Sequence, residues 1–83
     1  MKLMHFTATW CEPCKMMKPI VSEVIDENDI EYILVDIDEH RQTAMDYEVM
    51  GVPTFIILDD NNNAIARVTG AMPKQKFIDS LGI

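Results

Sequence analysis

Cysteine is scarce in this sequence, with two residues in a chain of 83. Two cysteines are a poor framework for a disulfide-stapled secreted domain, and in a reducing cytosol a purely structural disulfide does not persist. A catalytic or a metal-binding pair is left. Long apolar runs are also missing, and nothing approaches the roughly 20 residues that span a bilayer, so a membrane protein is not expected. The N-terminal stretch Met1-Lys2-Leu3-Met4-His5-Phe6-Thr7 is too short in apolar residues for a signal peptide, and the expected location is the cytoplasm. Positive charge is sparse: 7 Lys and Arg stand against 14 Asp and Glu, for a net charge of −7. That balance argues against nucleic acid as a partner. The charge is uneven, since residues 19–48 carry ten acids against Arg41 alone, and this acidic middle reads as a solvated face.

What is present is an ordinary globular balance, 48% apolar and 25% charged, without internal repeats, linkers or low-complexity segments. Residues 1–83 read as a single small domain. A chain of this length buries only roughly 60% of its unfolded surface and depends on good packing.

Residues 2–7 read as a strand whose apolar Leu3, Met4 and Phe6 are too continuous for a half-exposed edge, which places it centrally in a sheet covered on both sides. From Pro13 to about Glu27, Met16, Met17, Ile20, Val21, Val24 and Ile25 recur at helical steps, with Pro19 predicting a kink and Asn28-Asp29 ending the helix. Glu31 to Ile37 is rich in β-branched and aromatic residues and predicts a second strand, joined to the first by a right-handed parallel crossover. Asp38 is placed to cap a short helix over Glu39 to Glu48, with Ala44, Met45 and Tyr47 facing inward and His40 on the surface. After the sharp loop Met50-Gly51-Val52-Pro53-Thr54, Phe55 to Leu58 predicts a third strand and Ala64 to Val68 a fourth, paired as an antiparallel hairpin across the Asp59–Asn63 turn. Pro73 opens a final helix through Leu81, with Phe77, Ile78 and Leu81 inward. The seven methionines read as adaptable core filling.

Both cysteines lie in Thr9-Trp10-Cys11-Glu12-Pro13-Cys14-Lys15, at the junction of the first strand and the first helix. A Cys-x-x-Cys that begins a helix sets its first sulfur beside uncovered N-terminal amides, which favour thiolate. The second sulfur sits about one turn further in, able to close a small disulfide ring after the first has attacked. Cys11 is therefore the expected nucleophile, exposed at the helix end, and Cys14 the shielded resolving thiol.

At this point the residues resemble the thioredoxin family over nearly the whole chain: Phe6, Ala8, Trp10-Cys11-x-Pro13-Cys14-Lys15, Pro19, Asp36-Ile37-Asp38, Gly51-Val52-Pro53-Thr54 and Gly70-Ala71. A lone Cys-x-x-Cys is a weak signal, and it becomes specific when joined to the Trp before it, the Val-Pro-Thr loop and the Gly-Ala. The resemblance implies an α/β thioredoxin-like fold, a four-stranded mixed sheet in the order 2-1-3-4 with three helices on both faces. It implies a protein disulfide oxidoreductase, monomeric, with no metal and no cofactor beyond the redox-active Cys11–Cys14 pair, recycled by a thioredoxin reductase-type electron donor. Pro53 is then cis and faces the dithiol, and the Val52 backbone pairs with an extended substrate segment. Trp10, Glu12, Pro13, Gly70 and Ala71 complete the implied substrate surface.

Three departures from the family pattern stand out. Full-length thioredoxins begin with a strand and a helix that have no counterpart here, leaving a core of glutaredoxin size. The usual Gly after the first cysteine is Glu12, a carboxylate that opposes thiolate formation. The buried acid six positions before the first cysteine is His5, and the lysine often paired with it corresponds to Leu34. An imidazole near pKa 6.5 can accept the proton of the resolving cysteine at neutral pH, or it can be a neutral ring packed in the central strand; both readings stand.

Other classes are also open. Glutathione can replace a flavoprotein reductase as donor, although Lys15 and Lys18 are the only cations near the site and form no evident cradle for its carboxylates. The pair can belong to a binding module for Zn²⁺ or an iron–sulfur cluster, but about four ligands are needed and only His5 and His40 remain. Two buried structural cysteines would leave Trp10 and the Gly51-Val52-Pro53 loop unexplained.

Overall fold

A computed structural model describes residues 1–83. In chain order the elements are β1 (Lys2–Thr7), α1 (Glu12–Asn28), β2 (Glu31–Asp36), α2 (Arg41–Asp46), β3 (Thr54–Leu58), β4 (Ala64–Thr69) and α3 (Lys74–Leu81). The four strands form one sheet in the order β2-β1-β3-β4, with β1 and β2 parallel and the other two pairings antiparallel. This is the expected mixed sheet, and β1 and β3 are its interior strands.

Period-two alternation along β1 divides the core between the two faces of the sheet. Leu3 points to the side where Met17, Val21 and Val24 of α1 and Phe77 and Leu81 of α3 pack, together with Phe55 and Ile57 of β3. Met4 and Phe6 point to the other side, against Ala44 of α2, Val35, Ile56 and Leu58. Each fully buried side chain of this kind contributes roughly 1.5–3 kcal/mol relative to exposure. Phe77 meets Phe55 edge-on at 4.7 Å, which ties α3 to the central sheet. Lys74 also bridges to α1, 2.6 Å from Glu27 and 3.8 Å from Glu23.

α1 continues through Pro19 and ends where Asp29 turns left-handed at φ 51°, its N–H donating to Ile25 O. The second helix differs from expectation. It is confined to Arg41–Asp46, and Asp38 does not cap it. The Asp36 carboxylate instead accepts from the N–H groups of Asp38 and Glu39 at 2.8 and 3.3 Å, folding that segment into a turn before the helix starts. Met45 and Met16 also depart from the inward pattern, each 69% exposed. A two-turn α2 buries only Ala44, and Met16 lies one position off the Cys14, Met17, Val21 stripe of α1.

Candidate functional site

Cys11 is the N-cap residue of α1, with extended backbone (φ −91°, ψ 102°), and its Sγ accepts the N–H of Cys14 at 3.2 Å. The chain is bent into this position by the Cys11 N–H, which donates to Ala8 O at 3.1 Å, and by Pro13, whose fixed φ and missing donor suit a helix's first turn. Cys11 and Cys14 are joined as a disulfide with Cα atoms 5.3 Å apart. Both are buried, at 3% and 1% exposure, which corrects the expectation of an exposed Cys11 for the disulfide form. Ring closure and packing with Ala8, Ile37 and Val52 cover the first sulfur nearly as well as the second. What still distinguishes them is the amide: only Cys11 sits where the helix end stabilises negative charge, by typically about 0.3–1 kcal/mol.

Around the pair, the Val52–Pro53 peptide is cis and Val52 packs against the cluster of Ala8, Cys11 and Cys14. The Gly70 N–H donates to Pro53 O at 2.9 Å, and the Thr54 hydroxyl donates to Gly51 O at 2.6 Å. Gly70 holds φ 106°, a backbone conformation that side chains resist. Two loops separated in sequence thereby form one rim. Ala71 is exposed beyond it and joins Met16, Met17, Ile20, Met72 and Pro73 around an apolar groove of 360 Å³. Trp10 is 64% exposed, and its indole N–H donates to Asp38 at 3.0 Å. Glu12 and Pro13 are exposed, and Glu12 is held 3.1 Å from Lys15 Nζ, so part of its charge is met locally rather than aimed at the sulfur.

His5 is fully buried in β1. Its ring stacks on Phe55 at 4.5 Å, its Nδ1 lies 2.8 Å from Tyr32 Oη, and its Nε2 is buried with no hydrogen-bond partner. Burial, and secondarily the positive charge of Lys18, lower its pKa to about 4. Of the two readings of His5, this favours a ring that rests neutral, because an apolar surround disfavours the charged form. Burial also pushes the Tyr32 phenol up to about 12. Three participants were not singled out from sequence: Tyr32, Lys18 as a charge near His5, and Asp38 as the partner of Trp10. The signal for Tyr32 lay in the parallel pairing, since matching β2 to β1 sets Tyr32 opposite Leu3, on the face that His5 shares.

His40 is exposed, and nowhere do three or more His, Cys, Asp or Glu side chains gather as a metal would need. No helix is long and apolar enough to cross a membrane.

A family model described as thioredoxin matches residues 1–82. A thioredoxin of Staphylococcus epidermidis is 39% identical over 82 aligned positions, covering 96% of this chain and 78% of that protein. One of Staphylococcus aureus is 38% identical with the same coverage. Among solved structures, thioredoxin 1 of Thermosipho africanus superposes with a TM-score of 0.86 at 28% identity, over 99% of this chain and 91% of that one. The oxidised mitochondrial thioredoxin 3 of Saccharomyces cerevisiae gives 0.84 at 33% identity, over 98% and 76%. With the cysteine pair closed at a helix start beside a cis-proline loop, these likenesses have one meaning: the chain belongs to the thioredoxin family, and it is a thiol–disulfide oxidoreductase.

Proposed function

We propose that Cys11 attacks a substrate disulfide and that Cys14 resolves the mixed disulfide, with His5 accepting the Cys14 proton. In the first step the Cys11 thiolate bonds to one substrate sulfur and the other leaves as thiolate. In the second, the Cys14 thiolate bonds to Cys11 and the first substrate sulfur leaves, so two electrons pass to the substrate and the Cys11–Cys14 disulfide is made. The observation that carries this reading is the position of Cys11 at the N-cap of α1, where its sulfur accepts the Cys14 N–H.

Members of the family act on disulfide substrates and are reduced by thioredoxin reductase. For this chain the reading names protein disulfides as substrates. An extended segment pairs with the Val52 backbone beside Pro53 and rests on Trp10, Glu12, Pro13, Gly70 and Ala71. The reading treats residues 1–83 as one domain, working as a monomer in the cytoplasm, with a thioredoxin reductase-type flavoprotein as donor. Glutathione is disfavoured because the family model and the relatives are thioredoxins. Following NADPH oxidation during disulfide reduction tests the donor: turnover is expected with thioredoxin reductase, and turnover only with glutathione and glutathione reductase would overturn that part. Cys14→Ser is expected to trap mixed disulfides at Cys11, and trapping through Cys14 in a Cys11→Ser variant would reverse the roles.

A further inference from the structure

The buried His5 has one nitrogen engaged and one free: Nδ1 meets the Tyr32 hydroxyl at 2.8 Å, and Nε2 has no partner. Tyr32 and His5 lie on one face of the sheet, diagonal across the parallel β1–β2 pair, in which Leu3 faces Tyr32 and His5 faces Leu34. β2 is the edge strand, and Tyr32, whose hydroxyl meets the sealed imidazole, is only half-buried. α1 covers the same face. Cys14 and Lys18 sit four residues apart on it, one above the other, and Lys18 is the charge that His5 feels.

We propose that Tyr32 is the outlet of a proton path through His5, by which the Cys14 proton reaches solvent without the imidazole ever holding two protons. This rests on the reading of His5 as the acceptor for Cys14. In the reduced protein Nδ1–H donates to Tyr32 Oη and Nε2 is bare. As Cys14 attacks Cys11, its thiol proton passes through one water to Nε2, the Nδ1 proton passes to Tyr32 Oη, and the tyrosine hydroxyl proton passes to water. The sulfur–sulfur bond between the cysteines forms, the bond from Cys11 to the substrate breaks, and the substrate sulfur leaves with the electron pair and takes a proton from water. When the disulfide is next reduced, the reverse transfer supplies Cys14 and restores the first tautomer.

Three properties favour this path over a one-sided base. A hydroxyl both donates and accepts, so the Tyr32 bond to Nδ1 survives either tautomer. The ring is packed on uncharged Phe55 with the Lys18 ammonium as the charge that reaches it, a setting that penalises imidazolium and leaves a neutral tautomer exchange unpenalised. The phenol, pushed up to about 12, stays protonated and serves as a conduit without becoming an anion.

Tyr32→Phe keeps the ring and removes only the oxygen. Rapid mixing should show resolution of a preformed mixed disulfide slowed by about 10-fold near pH 7, below the full range of a lost general base, with attack by Cys11 changed less than twofold. A Tyr32→Phe/His5→Leu double variant should resolve no more slowly than His5→Leu. ¹⁵N spectra of the His5 ring should show the protonated nitrogen changing from Nδ1 to Nε2 on oxidation. Parent-like resolution in Tyr32→Phe, equal slowing of both steps, additive slowing in the double variant, or one tautomer in both redox states would each overturn the path. If His5→Leu slows resolution and Tyr32→Phe does not, the path fails and the role of His5 stands. If neither slows it, both fail.

Discussion

Trp10 and Asp38 meet across 28 positions of sequence, the indole N–H donating to a carboxylate oxygen at 3.0 Å. Trp10 comes from the loop that leads into Cys11, and Asp38 from the turn that follows β2, so the bond fixes the indole beside the disulfide while its ring stays largely in solvent. On the proposed reading of Trp10 as substrate surface, an exposed aromatic plate held by one hydrogen bond offers contact at a low ordering cost.

Asp38→Ala should therefore loosen Trp10 more than it loosens the fold. The KM for a protein disulfide should rise about 2- to 10-fold, the equivalent of roughly 0.4–1.4 kcal/mol, with kcat nearly unchanged. Tryptophan fluorescence anisotropy should fall, and unfolding in urea should shift by about 1 kcal/mol or less. A large loss of stability with an unchanged KM would show that the bond serves the fold alone.

The neutral His5 makes stability depend on pH in a defined window. Its folded pKa is lowered to about 4 from an unfolded 6.5, so between those values the unfolded chain binds the extra proton. Stability is full above pH 6.5 and falls as pH drops toward 4, by at most roughly 3 kcal/mol for a shift of this size. Asp59, whose carboxyl is held below its ordinary range by the backbone N–H groups of Asn63 and Asn61, adds its loss only at more acidic pH. Urea denaturation from pH 7 to 4 should show the first decline in the parent and a flatter profile in His5→Leu. Parallel profiles would mean that the ring takes up its proton without opening the core.

Most of the fold was readable because α1, β1 and β3 carry unambiguous apolar patterns that the structure buries where the pattern puts them, as at Met17, Val21 and Val24. The motif itself marked the cysteine pair, and the family resemblance supplied the cis proline and the rim glycine. Contacts made by single polar side chains across long separations were not readable. Asp38 had the identity and position of a helix cap, and only the folded loop brings Trp10 close enough to take it. Tyr32 looked like an ordinary strand aromatic until the register set it diagonal to His5. Exposure of Met16 and Met45 was hidden for a related reason, since a thioether is tolerated on either side of a helix face.

Gly70 should not tolerate a side chain, for reasons of backbone alone. A Cβ added there meets nothing within 4 Å, but φ 106° is a region that L-residues avoid, and the N–H must hold that geometry to reach Pro53 O at 2.9 Å. Gly70→Ala should cost about 1–3 kcal/mol and lower the thermal midpoint by about 4–8 °C per kcal/mol. Substrate reduction should slow as well, because the rim formed with Pro53 shifts. A variant with parent stability would show that the loop rotates freely to a permitted φ.

Lys18 offers the cleanest separation of the two causes that keep His5 neutral. Burial is the larger and the lysine's charge the smaller, so Lys18→Met, which retains the length of the stem and removes the ammonium, should raise the His5 pKa while leaving it clearly below 6.5. An NMR titration of the His5 ring carbons reads this directly in the folded protein. The stability window then narrows from its acidic side: the decline still begins near pH 6.5, set by the unfolded chain, but ends at the higher folded pKa and is smaller in total. A His5 pKa restored to 6.5 would mean that Lys18 rather than the apolar surround holds the ring neutral, and an unmoved pKa would mean that solvent already screens the ammonium from it.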